Sequence, residues 1–443
     1  MALLATITAL LLAGLAWWLP VQDRFILGPW VINFSDSVSV LGRQFTLGGT
    51  DRPALVMLYL IAALWFGAVP VVHPGKLFVP LGMAMAALLT AAIAVNPFLY
   101  AALFIEMGVI ASMPFLSPPG GKVGRGVLRY LTFQSLGMLF ILFSGWLLEG
   151  MEGLPPQTED IQRVAISIGL GFAFLLAVFP FYTWIPMLAQ ESHPYAAAFV
   201  FLVLPTAIFI LLLGFLDRYA WLREAAQTYE ILRSAGVLMI VTAGVWAAFQ
   251  NRMDRILGYA LILEIGLSFI GVSLAQGSAV MTYLGLFFAA QVPRFLALGV
   301  WALALAILRT ESKDLELPFA RGLGRRYPLA AFGLILANFS IAGLPLLAGF
   351  PVRIPILQGL FQASPGMGYW VLLGSGGLLV AGLRTMAYLV TGEEATPWQL
   401  LESRAQRAYL ILGMLGLLVL GILPQGFLPL FVNLPQVFGQ MLP

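Results

Sequence analysis

Gly171 to Val200 reads GFAFLLAVFPFYTWIPMLAQESHPYAAAFV, an apolar run cut by Pro180 and Pro186 around Trp184, then by the polar patch Gln190-Glu191-Ser192-His193-Pro194. Proline removes a backbone donor and clashes with the preceding turn, so a helix through this run kinks or unwinds. Inside a bilayer the freed backbone groups are tolerated only where protein or a water-filled cavity covers them. Secondary transporters use such broken helices in pairs, which predicts a second break. Asn338 to Gln358, NFSIAGLPLLAGFPVRIPILQ, supplies it: Pro345, Pro351 and Pro355 interrupt another apolar run, with Gly349 among them.

Outward from the breaks the chain stays apolar. Of its 443 residues 60% are hydrophobic and 10% charged, with a mean hydropathy of +0.94. This excludes a soluble globular protein and predicts an all-α, polytopic membrane protein, one integral domain over 1–443. About 13 stretches reach the roughly 20 apolar residues that a span needs. The first, Ala2–Leu19, lacks a basic n-region and reads as a retained span rather than a signal peptide. The last is Ala408–Val432. Between the first two spans, Val21–Arg52 alternates β-branched and polar residues and predicts a small extramembrane hairpin.

Cysteine is absent and only His73 and His193 are present, so no thiolate, haem or zinc site is expected. With no P-loop or dinucleotide glycine pattern, no cofactor and no metal are expected in this chain. The net charge of +3 is scattered in loops, which gives nucleic-acid binding no support. Lys76, Lys122, Lys313, Arg309, Arg404, Arg407 and other bases fall on one side of the predicted spans, and fewer, Arg353 among them, on the other. The bias predicts a cytoplasmic N-terminus in the plasma membrane, with the acidic loop Glu149–Asp160 outside. Ser117–Gly121 is a loop.

Ionisable groups at membrane depth are costly and are functional candidates by default. Glu106 lies mid-span in Phe98–Leu116, where it either passes a proton or pairs structurally. Glu264 fits a relay and a structural salt bridge equally. Arg294 stays protonated and so suits a fixed counter-ion; Arg384 fits a counter-ion or a snorkelling side chain. Glu191 and His193 give either a proton path or a solvated loop. Gln134, Asn338 and Ser340 suit interhelical hydrogen bonds or a wet core.

The frame Pro180-Phe181-Tyr182-Thr183-Trp184-Ile185-Pro186 resembles the P-x-H-x-W-L-P motif of the antiporter-like membrane subunits of respiratory complex I (L, M and N type) and of Mrp-type sodium/proton antiporters, with Tyr182 at the histidine place. Leu344-Pro345-Leu346-Leu347-Ala348-Gly349-Phe350 resembles the family's L-P-G-x-x-G-F. The run Asp254–Gly266 resembles a third family signature, with Glu264 where histidine is usual. The resemblance implies about 13–14 transmembrane helices in two inverted five-helix repeats, with broken helices near 171–194 and 338–358. It also implies that Glu106 is the carboxylate at the channel mouth and that Arg294 stands at a family lysine. The family's other buried lysines fall on Leu175, Pro205 and roughly Arg353, so the membrane core lacks a shuttling amine.

The expected function is proton translocation in a complex I-type or related assembly, along Glu106, Gln134 and Glu264 with Glu191 and His193, and with Arg294 and Arg384 as electrostatic partners. The rivals are a non-conducting structural subunit and a stand-alone cation/proton antiporter. Expected partners are other membrane subunits, the lipid bilayer and protons or sodium.

Overall fold

The computed structural model describes residues 1–18, 24–27, 30–33, 37–40, 42–47, 51–117, 123–150, 158–312, 314–392, 397–431 and 434–441. Helices α1 (Ala2–Trp18), α2 (Arg52–Gly67), α3 (Val69–Val72), α4 (Phe78–Ala94), α5 (Ala101–Leu116) and α6 (Arg125–Gly150) precede the first break. The arms of that break are α7 (Thr158–Leu175) and α8 (Trp184–Glu191). Then come α9 (Pro194–Arg218), α10 (Ala220–Arg223), α11 (Ala226–Phe249), α12 (Met253–Leu274), α13 (Val280–Glu311) and α14 (Leu323–Arg326). The second break parts α15 (Pro328–Ala342) from α16 (Phe350–Ala363), and α17 (Pro365–Val390) and α18 (Arg404–Ile422) follow.

Among the described residues nine helices are long and apolar enough to cross a membrane. The apolar stretch of α12 is wholly buried inside the protein, whereas only 17% of that of α18 is. So α12 is the hub of the bundle, and α18 packs on the bundle through a stripe of Leu410, Met414 and Leu417 while Leu412 and Leu415 face outward. α18 stops at Ile422 rather than near Val432, because Pro424 and Gly426 follow and the chain continues in 3-10 turns.

Both breaks are closed by the same backbone device. In α7, Val178 N donates to Ala173 O and Ala177 N to Phe174 O, with Ala177 left-handed at φ 53°. In α15, Leu344 N donates to Phe339 O and Gly343 N to Ser340 O, with Gly343 at φ 87°. This is the Schellman ending, which uses a left-handed residue to satisfy carbonyls that a stopped helix would orphan. The chain then turns sharply and restarts. At the second break, Gly349 N donates to Ser340 Oγ at 3.2 Å. A Cβ on Gly349 would lie 2.1 Å from Ser340 O, so only glycine fits. Gly349→Ala is therefore expected to destabilise the subunit by about 1–3 kcal/mol, read as a lower thermal midpoint in detergent.

Apart from two small sheets, the described chain is helical. Within 21–52, the described residues form the antiparallel pairs β1 (Arg24–Leu27) with β2 (Trp30–Asn33) and β3 (Ser37–Val40) with β4 (Arg43–Thr46). β4 also pairs with β5 (Val95–Asn96) after α4, where Asn96 Nδ2 donates to Thr46 Oγ1 at 2.6 Å. Lys122, Lys313, 118–121 and most of the acidic loop (151–157) lie outside the described residues.

Candidate functional site

Two centres hold the charges buried midway along the helices, Asp254 and Glu402 being buried at helix ends. The first lies between α12, α13 and α16. Glu264, midway along α12, takes Arg294 Nε on Oε2 at 2.9 Å, and its Oε1 pairs with Arg353 Nη2 of α16. Arg294 also donates to Glu264 O at 2.6 Å, to Ser268 Oγ and to Gln291 Oε1 at 3.1 Å. Gln291 is fixed in turn by donating to Phe287 O and accepting from Thr206 Oγ1. Side-chain exposures of 1% for Arg294, 5% for Glu264 and 11% for Arg353 put the whole triad out of solvent. Its net charge is +1. A pocket of about 10 Å³ adjoins it, lined by Glu264, Arg294, Arg353 and Ser340, which is room for about one water.

Arg353 corrects the sequence reading, which put it in an outside loop. Pro351 sits in the first turn of α16, where a missing N–H costs nothing, so the helix begins before Arg353 and carries it inward. Glu264 is accordingly the shared ion-pair partner of two arginines. Two bidentate-capable guanidiniums hold it, one of them wrapped by four acceptor contacts.

The second centre lies where α6 faces α5 on one side and the first break on the other. Glu106 of α5 is 7% exposed and accepts from Ser135 Oγ at 2.5 Å. Its Oε2 is buried with no protein partner, and among the described residues no base pairs with it. Next to Ser135 on α6, Gln134 Nε2 donates 3.1 Å to Leu175 O, a carbonyl freed by the ending of α7. The Gln134 bond is thus interhelical, and it covers the break. Tyr130, four residues earlier, bonds Ser112 through its hydroxyl at 3.1 Å and packs on Trp184 at 5.0 Å between ring centres. Gln134 Oε1 and Trp184 Nε1 are buried and unpartnered, as is Glu106 Oε2. Buried polar atoms are rarely left unpaired, which sets these three apart from the satisfied side chains around them.

The remaining predicted residues do other work. Arg384, expected as a counter-ion, pairs with no carboxylate among the described residues. It donates to Ala248 O and, at 2.8 Å, to Asn251 Oδ1, tying α17 to the end of α11. The patch after Pro186 is a clamp. Glu191 accepts from Gly126 N at 2.6 Å, Gln190 from Arg255 Nε at 2.7 Å, and Ser192 O from Arg309 Nη1 at 2.6 Å. Pro186 packs on α12, where a Cβ at Gly258 would come 2.9 Å from its Cα. Asn338 is buried at 1% exposure, and Ser340 Oγ serves Gly349. Among the described residues no group of three His, Cys, Asp or Glu could hold a metal ion.

His193 sits outside the spans as the N-cap of α9, its Nδ1 accepting from Tyr195 N at 3.3 Å. Burial, and then the charge of Arg309, lower it from 6.5 to about 4. Between those values the unfolded chain binds a proton that the folded one does not. Its stability contribution is therefore full above pH 6.5 and is lost as pH falls toward 4. The thermal midpoint is expected to drop between pH 7 and pH 5 in the wild type. The drop should be smaller in His193→Asn, which keeps a capping side chain but does not titrate.

Residues 128–379 match the family described as "NADH:quinone oxidoreductase/Mrp antiporter, TM". The chain is 28% identical over 435 residues to NADH-quinone oxidoreductase subunit 13 of Thermus thermophilus, covering 90% of this chain and 87% of the relative. A chain of respiratory complex I from Thermus thermophilus superposes with a TM-score of 0.76 at 21% identity, over 100% of this chain and 99% of that one. A chain of the archaeal membrane-bound sulfane sulfur reductase gives 0.80 at 18% identity, over 99% and 92%. These two likenesses establish a shared fold. All three relatives are parts of multisubunit membrane complexes.

Proposed function

The chain belongs to the NADH:quinone oxidoreductase/Mrp antiporter transmembrane family, and from that premise we propose that it is an antiporter-like, proton-translocating subunit of a complex I-type membrane assembly. The observation that carries the proposal is Glu106, a carboxyl group buried at membrane depth that no cation holds among the described residues. Such a group can take up and release a proton, because neither of its states leaves a neighbouring charge uncompensated. Ser135 orients it, and Gln134 and Trp184 offer polar atoms for the water through which a proton would travel.

Glu264 plays the complementary part. Held by Arg294 and Arg353, it is a fixed charge rather than a carrier, and the triad's surplus positive charge gates the second half. Motions driven in partner subunits would then act on Glu106 through the field and through the break. Electron chemistry would belong to those partners. The bias of basic loops supports a cytoplasmic N-terminus in a cell membrane.

One observation favours a second reading, a non-conducting structural copy. The three lysines, Lys76, Lys122 and Lys313, all fall outside the predicted spans, so no amine is available at membrane depth. Proton uptake by the purified assembly carrying Glu106→Gln separates the two readings: uptake is lost if Glu106 is the carrier and kept if the chain is a scaffold.

A further inference from the structure

A cleft of about 560 Å³ opens where α3 ends, α9 and α18 begin, and α13 ends. Val71 and Ile307 form part of an apolar wall, and His73, His193, Arg309 and Gln406 border it on the polar side. Among the described residues no aspartate or glutamate lines it. Arg309 spends one N–H on Ser192 O at 2.6 Å and has no carboxylate partner among the described residues. Asp254, whose charge reaches Arg309, is already bonded by Arg252 at 3.0 Å. Arg404 and Arg407 add two more cations in the first turn of α18, beside the lining residues Ala405 and Gln406.

The surroundings say what such a cleft can hold. α18 buries only 17% of its apolar stretch in the protein, so the cleft lies at the perimeter of the bundle, not in its core. A site that joins unneutralised guanidinium groups to an apolar wall at the edge of a membrane protein matches an anion carrying hydrocarbon chains. A free phosphate ion has no use for the wall, and a neutral lipid has none for the arginines.

We propose that this cleft binds an anionic phospholipid, with Arg309 on the phosphate and the first methylenes of an acyl chain against Val71 and Ile307. Arg404 and Arg407 draw the headgroup in, and the lipid links α3, α13 and α18 on one membrane face. The site is separate from both buried centres, so its occupancy bears on assembly and stability rather than on the proton-carrying carboxyl.

The test uses the purified, delipidated assembly, incubated with detergent micelles that carry phosphatidylglycerol or phosphatidylcholine, with bound lipid counted by mass spectrometry. Phosphatidylglycerol is expected to be retained over phosphatidylcholine. Removing one cation with Arg309→Gln should lower its retention about fivefold. Ala405→Glu should lower it to a similar extent. That residue is exposed, and an acid in the first turn suits the helix, so this variant decides the matter if Arg309→Gln fails to assemble. Equal retention of the two lipids, or phosphatidylglycerol retention unchanged in Ala405→Glu, would overturn the proposal. Displacement of the bound lipid by excess inorganic phosphate would also overturn it, since the site would then recognise a free anion alone.

Discussion

Glu264→Ala is expected to destabilise the folded subunit by about 3–5 kcal/mol, enough to deplete it from the membrane. The carboxylate is the shared counter-charge of Arg294 and Arg353, and all three side chains are withdrawn from solvent. Removing it leaves two guanidiniums facing each other in a low-dielectric interior. Arginine cannot escape that cost by losing its proton. The two arginines should differ. Arg353 makes one ion pair at 11% exposure, whereas Arg294 at 1% also holds Glu264 O, Ser268 and Gln291. Arg294→Gln should therefore lower the level of folded subunit more than Arg353→Gln does. A triple variant with Glu264→Leu, Arg294→Met and Arg353→Met has no charge left to desolvate and should recover much of the stability lost by Glu264→Ala. The readout is the thermal midpoint of the purified assembly. A triple variant as unstable as the single one would mean that the destabilisation comes from lost packing and not from uncompensated charge.

Much of this was legible from residues alone, because it rests on local rules. Pro180, Pro186 and Pro345 announce breaks wherever they fall in an apolar run. A carboxyl group in the middle of Phe98–Leu116 marks itself by its cost. What stayed hidden depends on three-dimensional neighbours. Three prolines in 345–355 read as a broken helix with Arg353 outside the spans, yet Pro351 occupies a first turn and lets α16 carry Arg353 to Glu264. A spacing signal did exist for part of the triad's shell: Ser268 lies four residues after Glu264 and Gln291 three before Arg294, each on the same helix face. Arg384, which fits a counter-ion or a snorkelling side chain from sequence, bonds a neighbouring helix end. A long cationic side chain near a helix end reaches the carbonyls of its neighbour more readily than a distant carboxylate.

The second large effect concerns transport. Glu106→Gln keeps the shape of the side chain and a partner for Ser135, so folding and assembly should survive. What the amide cannot do is exchange a proton near neutral pH. If the carboxyl is on the path, its loss removes a general acid–base step, for which losses of about 100-fold or more are typical. Ser135→Ala should give a partial loss, since it removes the hydrogen bond that orients the group but not the group itself. Arg384→Ala, by contrast, should leave uptake unchanged.

The most direct test is proton uptake into proteoliposomes by the purified assembly, wild type against Glu106→Gln, with subunit content and redox turnover recorded on the same preparations. Loss of the uptake carried by this subunit, with its full complement of partner subunits retained, is the predicted result. Undiminished uptake in an assembly that contains the variant would contradict the account and leave Glu106 a structural partner of Ser135 in a subunit that conducts nothing.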